Sequence, residues 1–218
     1  MSVSGNRSDR LEAARVYLVL EAAPALRIAA AAVRGGADLV QLRDKEASDA
    51  EIVRAGRELA AICHAGGALF LVNDRPDLAV ECGADGVHVG QDDMPLAEAR
   101  AIAGPDLILG TSTHSPEQVD AAEAADADYY AVGPVFETPT KAGRPAVGWE
   151  LVSYAAGRAT KPWFAIGGID AASAATAAAA GAERVVVVRA IRDAADPERA
   201  ARELRDALGA EGRVGAAR

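Results

Sequence analysis

Two cationic side chains follow one of the short apolar segments of the sequence. The run QLRDK over residues 41–45 places Arg43 and Lys45 two residues apart. In an extended segment alternate side chains point the same way, so a guanidinium fork and an ammonium group would face one site together. Such a pair complements the charge of a diphosphate. An exposed loop in which Asp44 forms salt bridges with these cations is the alternative, and these residues alone do not decide between the two.

Two aspartates, Asp74 and Asp93, follow the next two apolar segments. If those segments are neighbouring parallel strands, both carboxylates lie at the same edge and could together hold one hard cation. Magnesium suits this donor set, because it is commonly held by one or two carboxylates together with phosphate oxygens and water. The alternative is that each aspartate caps the helix that follows it, at Pro76 and near Leu96.

A glycine pair and a long connection add to the candidate chemistry. Gly167 and Gly168 precede a predicted helix, where unshielded amide groups would bind an anion, although a tight turn needs the same glycines. The segment 133–148 contains prolines, threonines and Lys141. Its length predicts a mobile flap over a ligand or, alternatively, an inert surface insertion. His88 lies inside an apolar segment, so we expect a hydrogen-bonded interior histidine.

Eight short apolar segments rich in β-branched residues are predicted to be strands. They are Val16–Leu20, Leu39–Leu42, Leu69–Val72, Gly86–Val89, Leu107–Leu109, Tyr129–Val132, Trp163–Ile166 and Arg184–Val188. Alanine-rich amphipathic segments between them are predicted helices, at Ala25–Val33, Asp49–Ala65, Pro76–Cys82, Leu96–Ala103, Pro116–Ala124, Glu150–Ala156, Ala171–Ala180 and Pro197–Leu208. Continuous apolar runs are typical of parallel strands that are covered on both faces.

This order of elements predicts an α/β fold, a closed (β/α)8 TIM barrel in a single domain. An open doubly wound sheet is the second choice, and it is disfavoured because no Gly-x-Gly-x-x-Gly turn follows the first strand. In a barrel the loops after the strands share one face, so the polar residues described above are expected to meet there. We place the barrel at residues 13–209, with flexible ends at 1–12 and 210–218.

The composition fits this fold and limits the partners. The chain has 218 residues, of which 50% are hydrophobic and 4% aromatic, which predicts a core of Ala, Val, Leu and Ile. A net charge of −9 disfavours general nucleic-acid binding, and no apolar run approaches the roughly 20 residues of a membrane-spanning helix. Residues 1–15 are polar where a secretory signal would be apolar, so we expect a cytoplasmic protein. Cys63 and Cys82 share no short motif, which argues against a disulfide scaffold or a zinc site.

Five strings of the sequence, in their order and spacing, closely resemble the thiamine-phosphate synthase family. They are QLRDK, LVNDRPDLAVECGADGVHVGQDDMP, GTSTHS, VGPVFETPTKAG and FAIGGI. The resemblance covers residues 16–208 and implies a barrel enzyme that couples 4-amino-5-hydroxymethyl-2-methylpyrimidine diphosphate to 4-methyl-5-(2-phosphoethyl)thiazole, giving thiamine phosphate and pyrophosphate. It implies Mg2+ as the cofactor and small molecules as the partners, with no nucleic acid and no membrane, and it leaves a homo-oligomer open.

The resemblance also implies which residues form the site. Contacts with the pyrimidine diphosphate are implied for Gln41, Arg43, Lys45, Asn73, Ser112 and Lys141. Magnesium binding is implied for Asp74 and Asp93. Contacts with the thiazole phosphate are implied for Thr138, Thr140, Gly168 and the backbone at Val188 and Arg189. Catalytic roles are implied for Arg43, Lys45, Ser112 and Lys141. The family commonly has serine at position 189, so here a hydroxyl contact is lost and a side-chain cation stands in its place.

The implied chemistry agrees with these residue types. A diphosphate on a benzylic-type carbon of an electron-rich aminopyrimidine can ionise before attack, which requires stabilisation of the departing anion and shelter of a cation from water. The thiazole nitrogen is the nucleophile and needs no deprotonation, and the sequence offers no convincing Ser/His/Asp or Cys/His arrangement. Two alternatives are the related thiazole tautomerases, which need neither magnesium carboxylates nor a diphosphate clamp, and a ligand-binding or regulatory barrel without catalysis.

Overall fold

The eighth strand of the sheet pairs with the first, which closes the sheet into a barrel. The computed structural model describes residues 3–23, 25–137 and 145–210. All strand pairs are parallel and follow the order of the sequence, and the closing pair joins Val16 to Val185 and Leu18 to Val187. The closure confirms the predicted (β/α)8 barrel in a single domain and excludes the open doubly wound sheet.

The strands and helices lie close to their predicted positions. The strands are β1 (Val16–Leu20), β2 (Leu39–Leu42), β3 (Leu69–Asn73), β4 (Gly86–Val89), β5 (Ile108–Thr113), β6 (Tyr129–Val132), β7 (Trp163–Ile166) and β8 (Val185–Val187). The helices among the described residues are α1 (Val3–Ala13), α2 (Ala25–Arg34), α3 (Asp49–Gly66), α4 (Pro76–Cys82), α5 (Leu96–Ala103), α6 (Pro116–Ala124), α7 (Gly148–Ala156), α8 (Ala171–Ala179), α9 (Arg189–Arg192) and α10 (Pro197–Ala210). Each predicted strand and helix is present, whereas α1 and α9 have no predicted counterpart.

Successive residues of a strand pack on opposite sides of the barrel wall. In β1, Val16, Leu18 and Leu20 face the helices, whereas Tyr17 and Val19 face the barrel interior. Both sets are buried. This double burial explains why the strands appear in the sequence as continuous apolar runs and not as a polar and apolar alternation.

Three aromatic rings meet in the barrel interior, among aliphatic side chains. Tyr17, Tyr129 and Phe164 meet edge to face, with ring centroids 5.4 to 6.0 Å apart. Gly110 pairs with Tyr129 on the neighbouring strand, and a Cβ at this glycine would lie 2.1 Å from Cζ of the tyrosine ring. The low aromatic content predicts an aliphatic core, and most core side chains are Ala, Val, Leu or Ile, with this aromatic group as a local exception.

Helix α1 differs from the expectation of a flexible segment over residues 1–12. Leu11 is only 3% exposed and packs against the interior core. Arg7 Nε donates to Asp85 Oδ1 at 2.9 Å. The other oxygen of this carboxylate lies 2.9 Å from His64 Nε2 and accepts the N–H of Phe70 at 3.0 Å. Helix α1 therefore covers the N-terminal end of the barrel, and it gives a weak sequence signal because most of its residues are polar.

The chain end and the helix lengths bear on two further expectations. Helix α10 continues to Ala210, so the predicted domain boundary at residue 209 falls in its last turn. Residues 211–218 lie outside the described part of the chain. Within that part, no helix combines the length and apolar character needed to cross a membrane.

Candidate active site

A cavity of about 390 Å3 opens at the C-terminal end of the barrel strands. Several of the predicted site residues line it, namely Gln41, Arg43, Asn73, Ser112, Gly168, Val188 and Arg189. The structure thus brings residues from β2, β3, β5, β7 and β8 to one mouth, as the barrel topology predicts. Their individual roles stay predictions.

Gln41, Asn73 and Ser112 lie on strands and not on the loops that follow them. Gln41 is in β2, Asn73 ends β3, and β5 continues past its predicted end at Leu109 to Thr113, which includes Ser112. Gln41 and Ser112 are buried. These side chains are therefore held by the barrel wall itself, which is more rigid than a loop.

Lys45, Asp74 and Asp93 form a charged cluster beside the cavity. Lys45 Nζ lies 3.5 Å from Oδ2 of Asp74 and 3.9 Å from Oδ1 of Asp93. Asn73 lines the cavity and donates from Nδ2 to the same Oδ2 of Asp74 at 2.5 Å. Asn73 therefore connects the charged cluster to the cavity.

The two carboxylates are close enough to affect each other. Burial and the negative charge of Asp93 raise the pKa of Asp74, and the Lys45 ammonium opposes this shift. A cation between the carboxylates would relieve their repulsion. Among residues 3–23, 25–137 and 145–210, no three His, Cys, Asp or Glu side chains group into a complete metal site. A metal ion held by this pair would take its other ligands from substrate and water.

The helix-cap alternative for the two aspartates does not hold. The N-cap residue, which directly precedes the helix, is Arg75 for α4 and Pro95 for α5. Neither helix has a hydrogen bond from its first turn to an N-cap side chain. Asp93 accepts instead from the N–H of Gly90 at 3.1 Å, within its own loop. Both carboxylates thus remain at the barrel mouth, where a cation could reach them.

Asp44 does not neutralise the cations of the QLRDK segment. Its carboxylate accepts from the backbone N–H groups of Ala22, Glu46 and Ala47 at 3.1 to 3.2 Å. In the described residues, no ion pair joins Asp44 to either of the cations beside it. The aspartate therefore fixes the shape of the loop and leaves the neighbouring cations to the cavity and the carboxylate pair.

The glycine loop after β7 differs from the expected anion site at a helix end. Gly167 and Gly168 line the cavity with φ of 111° and 71°, in the left-handed region that favours glycine. The helix that follows is capped by Asp170, whose carboxylate accepts the N–H of Ser173 at 2.9 Å. A carboxylate thus occupies the helix end, and an anion here would be bound by the glycine loop and by residues after β8.

Three predicted site residues lie outside the described part of the chain, namely Thr138, Thr140 and Lys141. Residues 138–144 of the predicted flap over 133–148 lie outside it as well. The ring of Phe136, within the described part of this segment, meets that of Trp149, just after the segment, edge to face with centroids 5.5 Å apart.

Sequence reasoning missed a chain of hydrogen bonds beneath the cavity. Gln41 Nε2 donates to the Tyr17 hydroxyl at 2.5 Å, and that hydroxyl lies 2.9 Å from the Tyr129 hydroxyl. His88 places Nδ1 2.9 Å from the Tyr129 hydroxyl and Nε2 3.0 Å from Ser112 Oγ. The expectation of a hydrogen-bonded interior histidine is confirmed. Polar residues at interior-facing strand positions were the available signal, since buried polar groups need partners.

The structure also brings Ser112 and His88 together, a pair that the sequence spacing did not reveal. A serine next to a histidine supplies two of the three members of a Ser/His/Asp hydrolase triad. The other ring nitrogen of His88, however, faces the Tyr129 hydroxyl and not a carboxylate. The contacts of these two residues within 3–23, 25–137 and 145–210 therefore do not form a Ser/His/Asp triad.

Comparison with known proteins independently supports the family resemblance of the sequence motifs. A model of the family described as thiamine monophosphate synthase matches residues 16–191. The thiamine-phosphate synthase of Mycobacterium tuberculosis (strain CDC 1551 / Oshkosh) is 50% identical to this chain and aligns with 92% of it and 97% of the relative. That of Gloeobacter violaceus is 50% identical over 91% of this chain, which spans only 58% of the relative's length.

Solved structures agree with the sequence relatives. The thiamine phosphate pyrophosphorylase from Pyrococcus furiosus superposes with a TM-score of 0.84 at 32% identity, covering 93% of this chain and 98% of that one. A 3-hexulose-6-phosphate synthase superposes with a TM-score of 0.64 at 21% identity, over 88% of this chain and 99% of that one. The second likeness shows the shared barrel fold alone.

Proposed function

This chain belongs to the thiamine monophosphate synthase family, and we propose that it is a magnesium-dependent transferase that makes thiamine phosphate. The proposed reaction joins the pyrimidine diphosphate to the thiazole phosphate with release of pyrophosphate. The observation that carries the proposal is the contact of Lys45 with Asp74 and Asp93 beside the cavity at the barrel mouth. We further propose that the protein acts in the cytoplasm on these small molecules, without a nucleic-acid or membrane partner.

We assign the diphosphate to the rim between Arg43 and Lys45. Arg43 lines the cavity and Lys45 stands at its edge. The guanidinium offers a planar fork of donors and the ammonium offers a point charge, which together match the oxygens of a diphosphate. Lys141 is proposed as a third cation on the same group, on the strength of its sequence motif.

The Asp74 and Asp93 carboxylates suit a magnesium ion. Their proximity raises the pKa of Asp74, and two carboxylates with phosphate oxygens and water form the donor set that this ion takes. Bound there, the ion would neutralise charge on the departing pyrophosphate. Asn73 holds the Asp74 carboxylate in place through their hydrogen bond.

We propose that the carbon–oxygen bond to the diphosphate breaks before the thiazole nitrogen attacks the same carbon. Arg43 and Lys45 stabilise the departing anion. The apolar side chains of Val19 and Ile166 line the cavity and keep water from the pyrimidine cation. The thiazole nitrogen carries no proton, so the reaction needs no base.

The thiazole phosphate is assigned to the other side of the mouth. Gly168 and the backbone at Val188 and Arg189 line the cavity there, and Thr138 and Thr140 are assigned by their motif. The exposed guanidinium of Arg189 supplies a positive charge where the family commonly has a serine. A cation at this position favours a phosphate dianion more strongly than a hydroxyl does.

The proposal is tested by incubating the purified protein with both phosphorylated substrates and magnesium. We expect one pyrophosphate released for each thiamine phosphate formed, and no release when either substrate or the magnesium is omitted. Isomerisation of a thiazole phosphate without pyrophosphate release would contradict the proposal and favour the tautomerase alternative. Binding of the substrates without any turnover would leave a ligand-binding barrel.

A further inference from the structure

The hydrogen-bonded side chains beneath the cavity connect two residues that are assigned to the substrate. Gln41 and Ser112 are the ends of this chain, and Tyr17, Tyr129 and His88 lie between them. We name these five residues the interior relay. Tyr17 and His88 also line the cavity, whereas Tyr129 is completely buried and does not. Tyr129 can therefore influence a ligand only through its neighbours.

The contacts of the relay are compatible with more than one order of donors and acceptors. In one of these orders the amide N–H of Gln41 donates to the Tyr17 hydroxyl, and the Tyr17 hydroxyl donates to that of Tyr129. In the same order Tyr129 donates to Nδ1 of His88, and the ring carries its proton on Nε2 and donates it to Ser112 Oγ. The Ser112 hydroxyl then accepts from His88, and its own proton is directed to another acceptor.

Burial and ring packing keep the two tyrosine hydroxyls of the relay protonated and fixed in position. Burial raises the pKa of Tyr17 and of Tyr129, so both hydroxyls retain their protons at neutral pH. The Tyr129 ring is held edge to face by Tyr17 and Phe164, and Gly110 leaves just enough room for it on the third side. The hydroxyl consequently has little freedom to choose another partner.

We propose that Tyr17 and Tyr129 are positioning residues that hold Gln41 and Ser112 in one donor–acceptor order, with the Ser112 hydroxyl as a donor to an anionic oxygen of the ligand. The inference rests on the proposed function, because the ligand that brings such an oxygen to Ser112 is the pyrimidine diphosphate. No bond is formed or broken in the relay. It sets the direction of two polar groups before the substrate arrives, which lowers the reorganisation that the reaction requires.

The proton order is tested without substrate, by nitrogen NMR of protein labelled with 15N-histidine. The chain has 3 histidines, and the His88 signals are assigned by their loss in His88→Asn. We expect the wild-type His88 ring to carry its proton on Nε2, with Nδ1 unprotonated, and we expect the Nδ1 shift to change in Tyr129→Phe. A proton on Nδ1 of the wild-type ring would overturn the proposed order whether or not the protein is a synthase.

The positioning role is tested by kinetics with a matched control on the same strand. Tyr129→Phe removes the central hydroxyl, and Tyr130→Phe makes the same change at the next residue, which faces the helices. We expect kcat/KM for the pyrimidine diphosphate to fall about tenfold or more in Tyr129→Phe, since a buried partner loses its hydrogen bond. The control should stay within about twofold of wild type.

A double-mutant cycle separates positioning from a general structural effect. If Tyr129 acts through Ser112, adding Tyr129→Phe to Ser112→Ala should cost less than about twofold. Equal losses in the wild-type and Ser112→Ala backgrounds, or equal effects of the two tyrosine variants, would refute the positioning role while the synthase function still stood. Absence of pyrophosphate release by the wild type would instead refute the function, and the histidine spectrum would then decide the relay separately.

Discussion

Asp74 has a backbone conformation that residues other than glycine seldom adopt. Its φ is 61°, the one positive value among the described residues that are not glycine. The conformation costs free energy and persists because its surroundings hold it, including the hydrogen bond from the Asp74 N–H to the His88 carbonyl at 2.8 Å. It brings the carboxylate to Lys45 and Asn73. Such local strain is typical of positions whose side chain must meet a ligand.

The Asp93→Asn variant tests one of the two carboxylates proposed to bind magnesium. The change removes one of the two negative charges proposed to hold magnesium and leaves the side-chain volume nearly unchanged. We expect kcat to fall by at least about tenfold and the magnesium concentration for half-maximal rate to rise by at least about tenfold. Both are measured as pyrophosphate release in a magnesium titration.

The control for this variant is Asp126→Asn, an exposed carboxylate in the loop before β6. It should leave both quantities within about twofold of wild type. An Asp93→Asn enzyme with the wild-type rate and magnesium requirement would remove Asp93 from the metal site.

The elements show which local patterns the sequence reveals and which it hides. Apolar runs located every strand, but the end of β5 was missed because its last residues, Thr111, Ser112 and Thr113, are polar. These residues are buried and hydrogen-bonded, Thr113 Oγ1 to the Ala131 carbonyl at 3.1 Å and Ser112 to His88. A hydropathy pattern does not show such bonds. The predicted substrate contact of Ser112 therefore came from the family motif and not from the pattern.

The packing of helix α1 on the barrel can be tested through the stability of a Leu11 variant. If residues 1–12 were flexible, a substitution at Leu11 would leave stability unchanged. Because Leu11 is buried against the interior core, we expect Leu11→Ala to lower the free energy of unfolding by about 2 to 4 kcal/mol. Urea denaturation followed by circular dichroism measures the change.

Val80→Ala is the control for this variant, since Val80 is 53% exposed, and we expect a change below about 0.5 kcal/mol. Equal stabilities for Leu11→Ala and the wild type would show that α1 does not pack on the barrel in solution.

For the whole molecule, the fold was predictable and the interior was not. Eight repeated strand and helix units are enough to indicate a closed barrel, and the barrel alone places Arg43, Asn73 and Arg189 at one mouth. The interior relay was not predictable, because its members are distant in the sequence. Tyr17 and Tyr129, for example, are 112 residues apart. Their contact depends on which residues fill the same layer of the closed barrel.

The response to acid is a prediction that concerns the whole molecule, because Asp85 joins α1, α3 and β3. Burial tends to raise the pKa of Asp85, but the hydrogen bonds from Arg7 and the Phe70 N–H outweigh it, so the pKa lies below its ordinary value. A carboxyl with a lowered folded-state pKa stabilises the fold above its unfolded pKa of about 3.9 and loses that contribution as the pH falls through the folded value. We expect Asp85→Ala to cost about 3 kcal/mol at neutral pH.

That difference should shrink as the pH falls below about 4. Urea denaturation of both proteins across this range measures it. A gap between wild type and variant that stays constant to about pH 2.5 would mean that the carboxylate charge does not contribute.

The central claim is that cationic side chains and a carboxylate pair meet at one barrel mouth to hold a diphosphate and its metal ion. A crystal structure of the protein with pyrophosphate and magnesium tests this most directly. We expect the pyrophosphate within hydrogen-bond distance of Arg43 and Lys45, and the metal ion between it and the carboxylates of Asp74 and Asp93. Pyrophosphate seated away from these residues, with no metal ion on either carboxylate, would contradict the account.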